Sequence, residues 1–401
     1  MRHFELCGIL SEFQHGFRKA RSCESQLIIT INDIAGNMDG GLQTDLVLLD
    51  FSKAFDKVPH GRLLHKLRHY GINDCILSWI ADFLRGRVQW VVLDGRSSDQ
   101  SPVSSGVPQG TVLGPLLFLA YINDLPDCLS AGSCVRLFAD DSVVYRVINN
   151  IDDAVKLQQD LDALQAWERR WLMEFHPGKC QVLSITKRRN PIRYAYTIHG
   201  HQLDTVPSAR YLGVELTDSL SWNKHIESTS MKGMRALGFL RRNLGACSTT
   251  IKAHCYKTFV RPIVEYASCV WSPYTQKGIK KIESVQRSAA RYVSGDYSQR
   301  SSVSTMLRDL GWDSLEQRRD IARVTMMYRI RNGLIDIPSD HLVPARRTVR
   351  GNTQRLLVPG TRTDLMRGSF FPATIRLWNA LPQEVVDSPS LDIFKSRLGK
   401  V

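Results

Sequence analysis

Two acidic stretches and the loop between them hold the side chains best suited to chemistry. In Val135-Arg136-Leu137-Phe138-Ala139-Asp140-Asp141-Ser142-Val143-Val144-Tyr145, runs of β-forming residues flank an Asp-Asp pair, the pattern of a tight hairpin with both carboxylates at its tip. Adjacent carboxylates repel, and a hard cation removes that cost; Mg²⁺ favours carboxylate oxygens together with substrate phosphates. The same pair is also at home in a plain surface turn. Upstream, Asp45-Leu46-Val47-Leu48-Leu49-Asp50 is an apolar run ending in an acid, which predicts a buried strand that delivers Asp50 at its C-terminal end. Between them lies Ser104-Ser105-Gly106-Val107-Pro108-Gln109-Gly110-Thr111. Its glycines permit close backbone approach and its glutamine offers an amide.

In this order the segments resemble the palm of a reverse transcriptase, in particular that of non-LTR (LINE-type, jockey-like) retrotransposons. The Asp50 stretch matches the first palm motif of that family, the Pro-Gln-Gly loop the second and Asp140-Asp141 the third. The resemblance implies an RNA-directed DNA polymerase that adds deoxynucleotides to a primer 3′-hydroxyl by two-metal nucleotidyl transfer. Asp50 and Asp140 would be the main metal ligands with Asp141 supporting. The cofactor implied is a pair of Mg²⁺ ions, with Mn²⁺ as substitute. Phe51, Phe55, Gln109, Gly110 and Lys179 fall at nucleotide-binding positions, Phe55 as a steric gate against a ribose 2′-hydroxyl. Tyr211-Leu212-Gly213 resembles the primer-grip hairpin. The partners implied are an RNA template, a DNA primer and deoxynucleoside triphosphates. For single positions other readings stay open: core packing for Phe55, a simple turn for Gln109-Gly110, an ordinary hairpin for 211–213. Asp45, roughly 16 Å from Asp50 along an extended strand, is expected to be solvated; Asp56 is expected to be a structural hydrogen-bond acceptor. For the whole chain the alternative is a catalytically inactive nucleic-acid-binding relic of a retroelement.

The elements that must position these groups read as α+β: a right-hand polymerase palm with partial fingers, then an α-helical thumb and a basic C-terminal tail. The expected division is 1–44 partial fingers, 45–221 palm including the primer-grip hairpin, 222–300 thumb, and 301–401 a basic region of retroelement type. A helix follows Ser22 with Leu27, Ile28, Ile31 and Ile34 on one side, and Asp152-Asp153 caps a long helix bearing Leu157, Leu161 and Leu164. Beyond residue 222, Met231, Met234, Leu237 and Leu240 recur at helical spacing, as do Ile251, Cys255 and Phe259, and then Ile282, Val285 and Ala289; these stripes are expected to be core. The stretch up to Gly368, rich in Arg and Pro, reads as loose. Family members carry further finger segments upstream of Gln14-His15-Gly16-Phe17-Arg18, so the resemblance implies an N-terminally truncated chain.

Charge sharpens the picture. The net +14 is uneven: residues 1–220 carry 23 basic and 25 acidic side chains, whereas 221–401 carry 30 and 14. The carboxylates therefore sit in one half and the positive field in the other, and a polyphosphate backbone is the simplest partner for such a field. Arg18, Lys19, Arg21, Arg241, Arg242, Lys252 and Lys257 are the candidate nucleic-acid contacts; a solvated basic turn is the other reading of the first three. No apolar run approaches the roughly 18 residues of a membrane span, and no membrane partner is expected. The 9 cysteines form no Cys-x-x-Cys pair, the usage of reduced thiols in an intracellular protein and not of a structural zinc site. The resemblance implies a nuclear site of action, with Lys187-Arg188-Arg189 and Arg346-Arg347 as short basic runs. Nothing in the sequence sets the oligomeric state.

Overall fold

The computed structural model describes residues 2–345 and 352–399; the basic pair Arg346-Arg347 lies outside them. The chain forms two compact units, residues 1–26 with 41–207, and residues 27–40 with 208–401. The boundary at 207/208 groups the hairpin around Tyr211 with the helices that follow it.

In the first unit, α1 (Arg2–Leu6) and the start of α2 (Cys23–Asp39) precede β1 (Gln43–Leu49). Then come α3 (His60–His69), α4 (Asp74–Leu84), an arm of short strands β2 (Val88–Gln89), β3 (Val92–Leu93), β4 (Arg96–Ser97) and β5 (Ser101–Pro102), and α5 (Leu113–Ile122). The unit continues with β6 (Ser133–Phe138), β7 (Asp141–Ile148), α6 (Ile151–Trp171), β8 (Gln181–Ile185), β9 (Thr197–Ile198), β10 (His201–Gln202) and β11 (Asp204–Thr205). A five-stranded sheet has the order β11-β8-β1-β7-β6, with β1 antiparallel to both neighbours. Both faces of β1 are covered, since the successive residues Leu46 and Val47 point to opposite sides and are both buried, which is why the strand reads as a continuous apolar run. One face of the sheet carries Val47, Leu49, Val135, Leu137 and Val144 into a core built with Leu63 and Leu67 of α3, Phe118 of α5, and Leu157, Leu161 and Leu164 of α6.

Several local expectations are corrected. The α6 cap is Asn150, whose side chain accepts from the Asp153 nitrogen, while Asp152 and Asp153 lie in the first turn. Asp45 is buried and not solvated: Gln43 Nε2 donates to it at 2.9 Å and the Tyr196 hydroxyl at 2.8 Å. Burial raises its carboxyl above the ordinary value. A carboxylate can be buried when donors replace its water.

The second unit opens with the hairpin β12 (Ser208–Tyr211) and β13 (Val214–Thr217), with Leu212-Gly213 as its turn. Helices follow: α7 (Asn223–Asn243), α8 (Thr249–Cys255), a π-helical turn (Tyr256–Val260), α9 (Arg261–Glu265), α10 (Ser268–Trp271) and α11 (Gln276–Ser294). After them come α12 (Val303–Asp309), α13 (Leu315–Arg331), α14 (Asp364–Gly368), α15 (Phe370–Ala380), α16 (Gln383–Val386) and α17 (Leu391–Leu398). The buried stripe of α7 is Ile226, Ser230, Gly233, Leu237 and Leu240, and a Cβ on Gly233 would press on Val264 and Val285. Met231 and Met234, one position off that stripe, are exposed. Ile251 is exposed on α8, which buries no residue, and Phe259 is exposed because the π turn shifts the phase of the helix so that Tyr256, Val260 and Val264 are buried. The stretch expected to be loose is tied where described: Asn352 donates to the Trp378 carbonyl at 3.0 Å, and Thr363 Oγ1 to Asp39 at 2.7 Å. Among the described residues no helix is long and apolar enough to cross a membrane.

Candidate active site

The acids meet through strand register. β1 pairs with β7 so that Leu46 faces Tyr145, Leu48 faces Val143 and Leu49 faces Ser142. One further step sets Asp50 opposite Asp141, and opposed residues share a face at about 5 Å between Cα atoms. That face is the one away from the helical core. Val47, Leu49 and Phe51 all point into the core, so Asp50 between them points out. Asp140 occupies the turn of the β6–β7 hairpin beside Asp141.

The electrostatics match this proximity. Partial burial raises the Asp140 carboxyl above its ordinary value, and the Asp50 charge adds to the rise. Asp141 keeps a solvent-exposed surface, yet desolvation is still the largest cause of its raised carboxyl, followed by the charges of Asp140 and Asp50. Three carboxylates thus crowd one place, and the backbone hydrogen bond that Asp140 accepts does not cancel the rise. They are not closed into a ready-made cage: among the described residues no three His, Cys, Asp or Glu side chains are set to hold a metal. Asp50 instead forms an ion pair with Lys179 at 3.1 Å, off hydrogen-bond alignment, so that its Oδ2 is sheltered from solvent with no true donor. The turn that carries Lys179 is anchored on the same residue, since the His176 nitrogen donates to the Asp50 carbonyl at 2.7 Å.

The other candidates sort as follows. The Phe51 ring is buried, stacked on Phe175 at 4.4 Å, and belongs to the core and not to a nucleotide-facing surface. Phe55 is half-buried and stacks on Phe118 at 4.3 Å, leaving part of the ring open. Gln109 is exposed, and its Nε2 donates to Asp56 at 3.3 Å, so Asp56 is the acceptor the sequence suggested. Gly106, with φ +93°, is what lets the loop dock: a Cβ there would lie 2.7 Å from the Asp56 carbonyl oxygen. Gly110 (φ +79°) stands in open space at the loop tip. A cavity of about 450 Å³ lies elsewhere in this unit, beside Lys66. Lys66 is buried against Trp171 and paired with Asp124 at 2.5 Å; burial pushes its ammonium down to about 8.

Arg18 donates to the Ser11 carbonyl at 2.7 Å and pairs with Glu5, and Arg21 donates to the Gln14 carbonyl at 2.9 Å, so both guanidinium groups brace their own loop. Lys19 is exposed. In the second unit Arg241 donates to the Ser288 carbonyl and Lys252 lies over the Tyr292 ring, whereas Arg242 and Lys257 are exposed. Tyr211 is buried; Leu212 offers its carbonyl to the Tyr266 hydroxyl at 3.0 Å. Sequence reasoning missed Gln14, whose buried side chain reaches the acid hairpin. The one signal was the Gln-x-Gly spacing in a loop that otherwise reads as basic.

Comparison with known proteins adds an independent line. Residues 2–216 match the family described as reverse transcriptase (RNA-dependent DNA polymerase). A probable RNA-directed DNA polymerase from transposon BS of Drosophila melanogaster is 28% identical over 367 residues, 87% of this chain and 39% of that protein. The RNA-directed DNA polymerase from mobile element jockey of Drosophila funebris is 31% identical over 306 residues, covering 73% of this chain and 33% of its own length. The chain therefore spans between a third and two fifths of these curated relatives. A telomerase structure from Candida albicans, solved with a fragment of telomeric RNA, aligns over 80% of this chain and 55% of its own at 12% identity and a TM-score of 0.38, a level that carries no argument.

Proposed function

The chain belongs to the reverse transcriptase (RNA-dependent DNA polymerase) family, and we propose that it carries the polymerising core of a non-LTR retrotransposon enzyme, extending a DNA primer along an RNA template. The observation that carries this reading is the β1–β7 register, which brings Asp50 beside Asp140 and Asp141 on the face of the sheet away from the helical core. In this reading the first unit is the palm with partial fingers, β12–β13 the primer grip, and the helices from α7 onward the thumb and tail. A nuclear place of action belongs to the same proposal.

Reverse transcriptases generally work with divalent metals, and the residues present fit one: the Asp50 oxygen beside Lys179 accepts no aligned hydrogen bond, and the Asp140 and Asp141 carboxyls are raised by burial and by neighbouring carboxylate charge. Asp50, Asp140 and Asp141 would hold the two Mg²⁺ ions, or Mn²⁺ in their place. When bound, such ions neutralise charge on the transferred phosphoryl group and align the primer hydroxyl. The chain's own groups do the rest. Lys179 supplies a positive charge beside Asp50. The open part of the Phe55 ring blocks a 2′-hydroxyl. Gln109 and Gly110 border the base pair being formed. Arg242, Lys257 and their neighbours follow backbone phosphates.

The test is primer extension by the purified chain on an RNA template, with and without Mg²⁺. Mg²⁺-dependent incorporation of deoxynucleotides, lost in Asp50→Asn, is expected. Salt-sensitive RNA binding with no extension under any metal would overturn the assignment and leave the inactive relic.

A further inference from the structure

The acid hairpin turns through a conformation that its own residues do not favour. Ala139, immediately before Asp140, has φ +54°, in the left-handed region that glycine tolerates and alanine resists. Something outside the hairpin must hold it. Residues 13–15 run beside β6 in parallel: the Leu137 nitrogen donates to the Phe13 carbonyl at 3.0 Å, and the His15 nitrogen to the Leu137 carbonyl at 2.8 Å. From this strip the Gln14 side chain, 2% exposed, reaches the turn. Its Oε1 accepts from the Ala139 nitrogen at 2.9 Å and from the Gly16 nitrogen at 2.7 Å. Gly16 has room only because it lacks a side chain; a Cβ there would collide with the Ala139 nitrogen. The strip is braced in turn: His15 Nδ1 meets the Ser25 hydroxyl at 2.9 Å, and Arg21 holds the Gln14 carbonyl.

We infer that Gln14 is a positioning residue for the acid pair: its amide oxygen fixes the peptide before Asp140 and so sets where the carboxylates of Asp140 and Asp141 stand. This rests on the polymerase reading only in assigning those carboxylates to the metals. Gln14 touches no substrate. Its contribution is one acceptor shared by two backbone donors, at a point where either donor would otherwise be buried unpaired. The shared acceptor locks strip and turn together, so the hairpin tip cannot relax to a conformation that alanine prefers.

The experiment compares Gln14→Met, similar in length but without an acceptor, with Gln14→Glu, which keeps one. Three readouts are taken on the full chain: Mn²⁺ binding by electron paramagnetic resonance, amide exchange of the segment 136–142, and Mg²⁺ half-saturation of primer extension. For Gln14→Met we expect Mn²⁺ affinity to fall tenfold or more and exchange to quicken at 136–142 while the other peptides of the sheet stay protected. The Mg²⁺ half-saturation should rise with little change in the KM for nucleotide. Gln14→Glu should recover Mn²⁺ affinity to within about threefold of the parent. Unchanged Mn²⁺ affinity and exchange in Gln14→Met would overturn the inference, as would a uniform loss of protection across the sheet, which marks a purely structural role. The two readings separate cleanly. If the parent extends primers and Asp140→Asn does not, an unaffected Gln14→Met removes only the Gln14 inference. If the parent never extends primers, weakened Mn²⁺ binding in Gln14→Met still supports it.

Discussion

Two tight hairpins, one in each unit, solve the same geometric problem differently. Both turn through two residues, and both place a residue other than glycine in the left-handed region: Ala139 at φ +54° and Leu212 at φ +43°. The β12–β13 turn follows Leu212 with Gly213 at φ +83°, the pairing of left-handed residues that suits the twist of its strands. It carries no charge, and it is held by a hydroxyl from Tyr266 to the Leu212 carbonyl. The β6–β7 turn has no glycine, carries Asp140 and adjoins Asp141, and is held by the Gln14 amide on the Ala139 nitrogen. The first arrangement settles for stability. The second keeps like charges together where stability alone would disperse them, which accords with the metal site proposed for these acids.

The contrast can be broken most decisively at Asp140. Asp140→Asn should lower primer extension about a thousandfold, the size expected when several kcal/mol of charge stabilisation disappear. Circular dichroism should remain that of the parent. A variant that still extends would make the acid hairpin as inert as its counterpart.

Next in size is the packing of each turn. Gly16→Ala should cost about 2–3 kcal/mol, because the added methyl meets backbone that cannot swing aside. Gly213→Ala should cost about 1–2 kcal/mol: its φ is unfavourable, but the 2.9 Å contact is with the edge of the Tyr266 ring, which can tilt. Urea denaturation of both variants measures the difference, and equal losses would show that the two clamps are equally rigid. Tyr266→Phe should cost about 1 kcal/mol through one lost hydrogen bond and leave the metal dependence of extension unchanged.

The smallest effect is one of slope. A carboxyl whose folded pKa is raised destabilises the folded state once ionised. That penalty is complete above the folded value and vanishes below the unfolded one, near 3.8. Asp141→Asn should therefore melt at a higher temperature than the parent near neutral pH, with the advantage fading as pH falls through the carboxylate range. Adding Mg²⁺ should shrink the same gap. A constant gap across pH would mean that neither burial nor the neighbouring acids raise the Asp141 carboxyl.

Much of the site was legible in local pattern. The apolar run ending at Asp50 predicted a buried strand, and the two β-forming runs around Asp140-Asp141 predicted a tight hairpin; both are found. Phe51 was misread because adjacency to Asp50 says nothing about facing: alternate residues of a strand point opposite ways, so its ring went to the core as the carboxylate went to the surface. Asp45 was misread for a related reason. An acid at a strand end is solvated unless distant residues bring donors, and here Gln43 and Tyr196 do. Met231 and Ile251 share their helices' apolar spacing, but which arc of a helix is covered depends on its neighbours and, after α8, on a π turn.

By itself the sequence determined the chemical inventory: three acids able to share cations, a glycine loop, a basic second half, and the order of the strands and helices that carry them. Those properties reside in residue type and spacing, which survive in any conformation. Only the tertiary structure decided that Asp50 comes close to Asp141, that Lys179 pairs with it, and that Gln14 holds the turn from 125 positions away. Register and long-range hydrogen bonds form between segments that no local pattern connects, and they are chosen by the packing of the whole sheet.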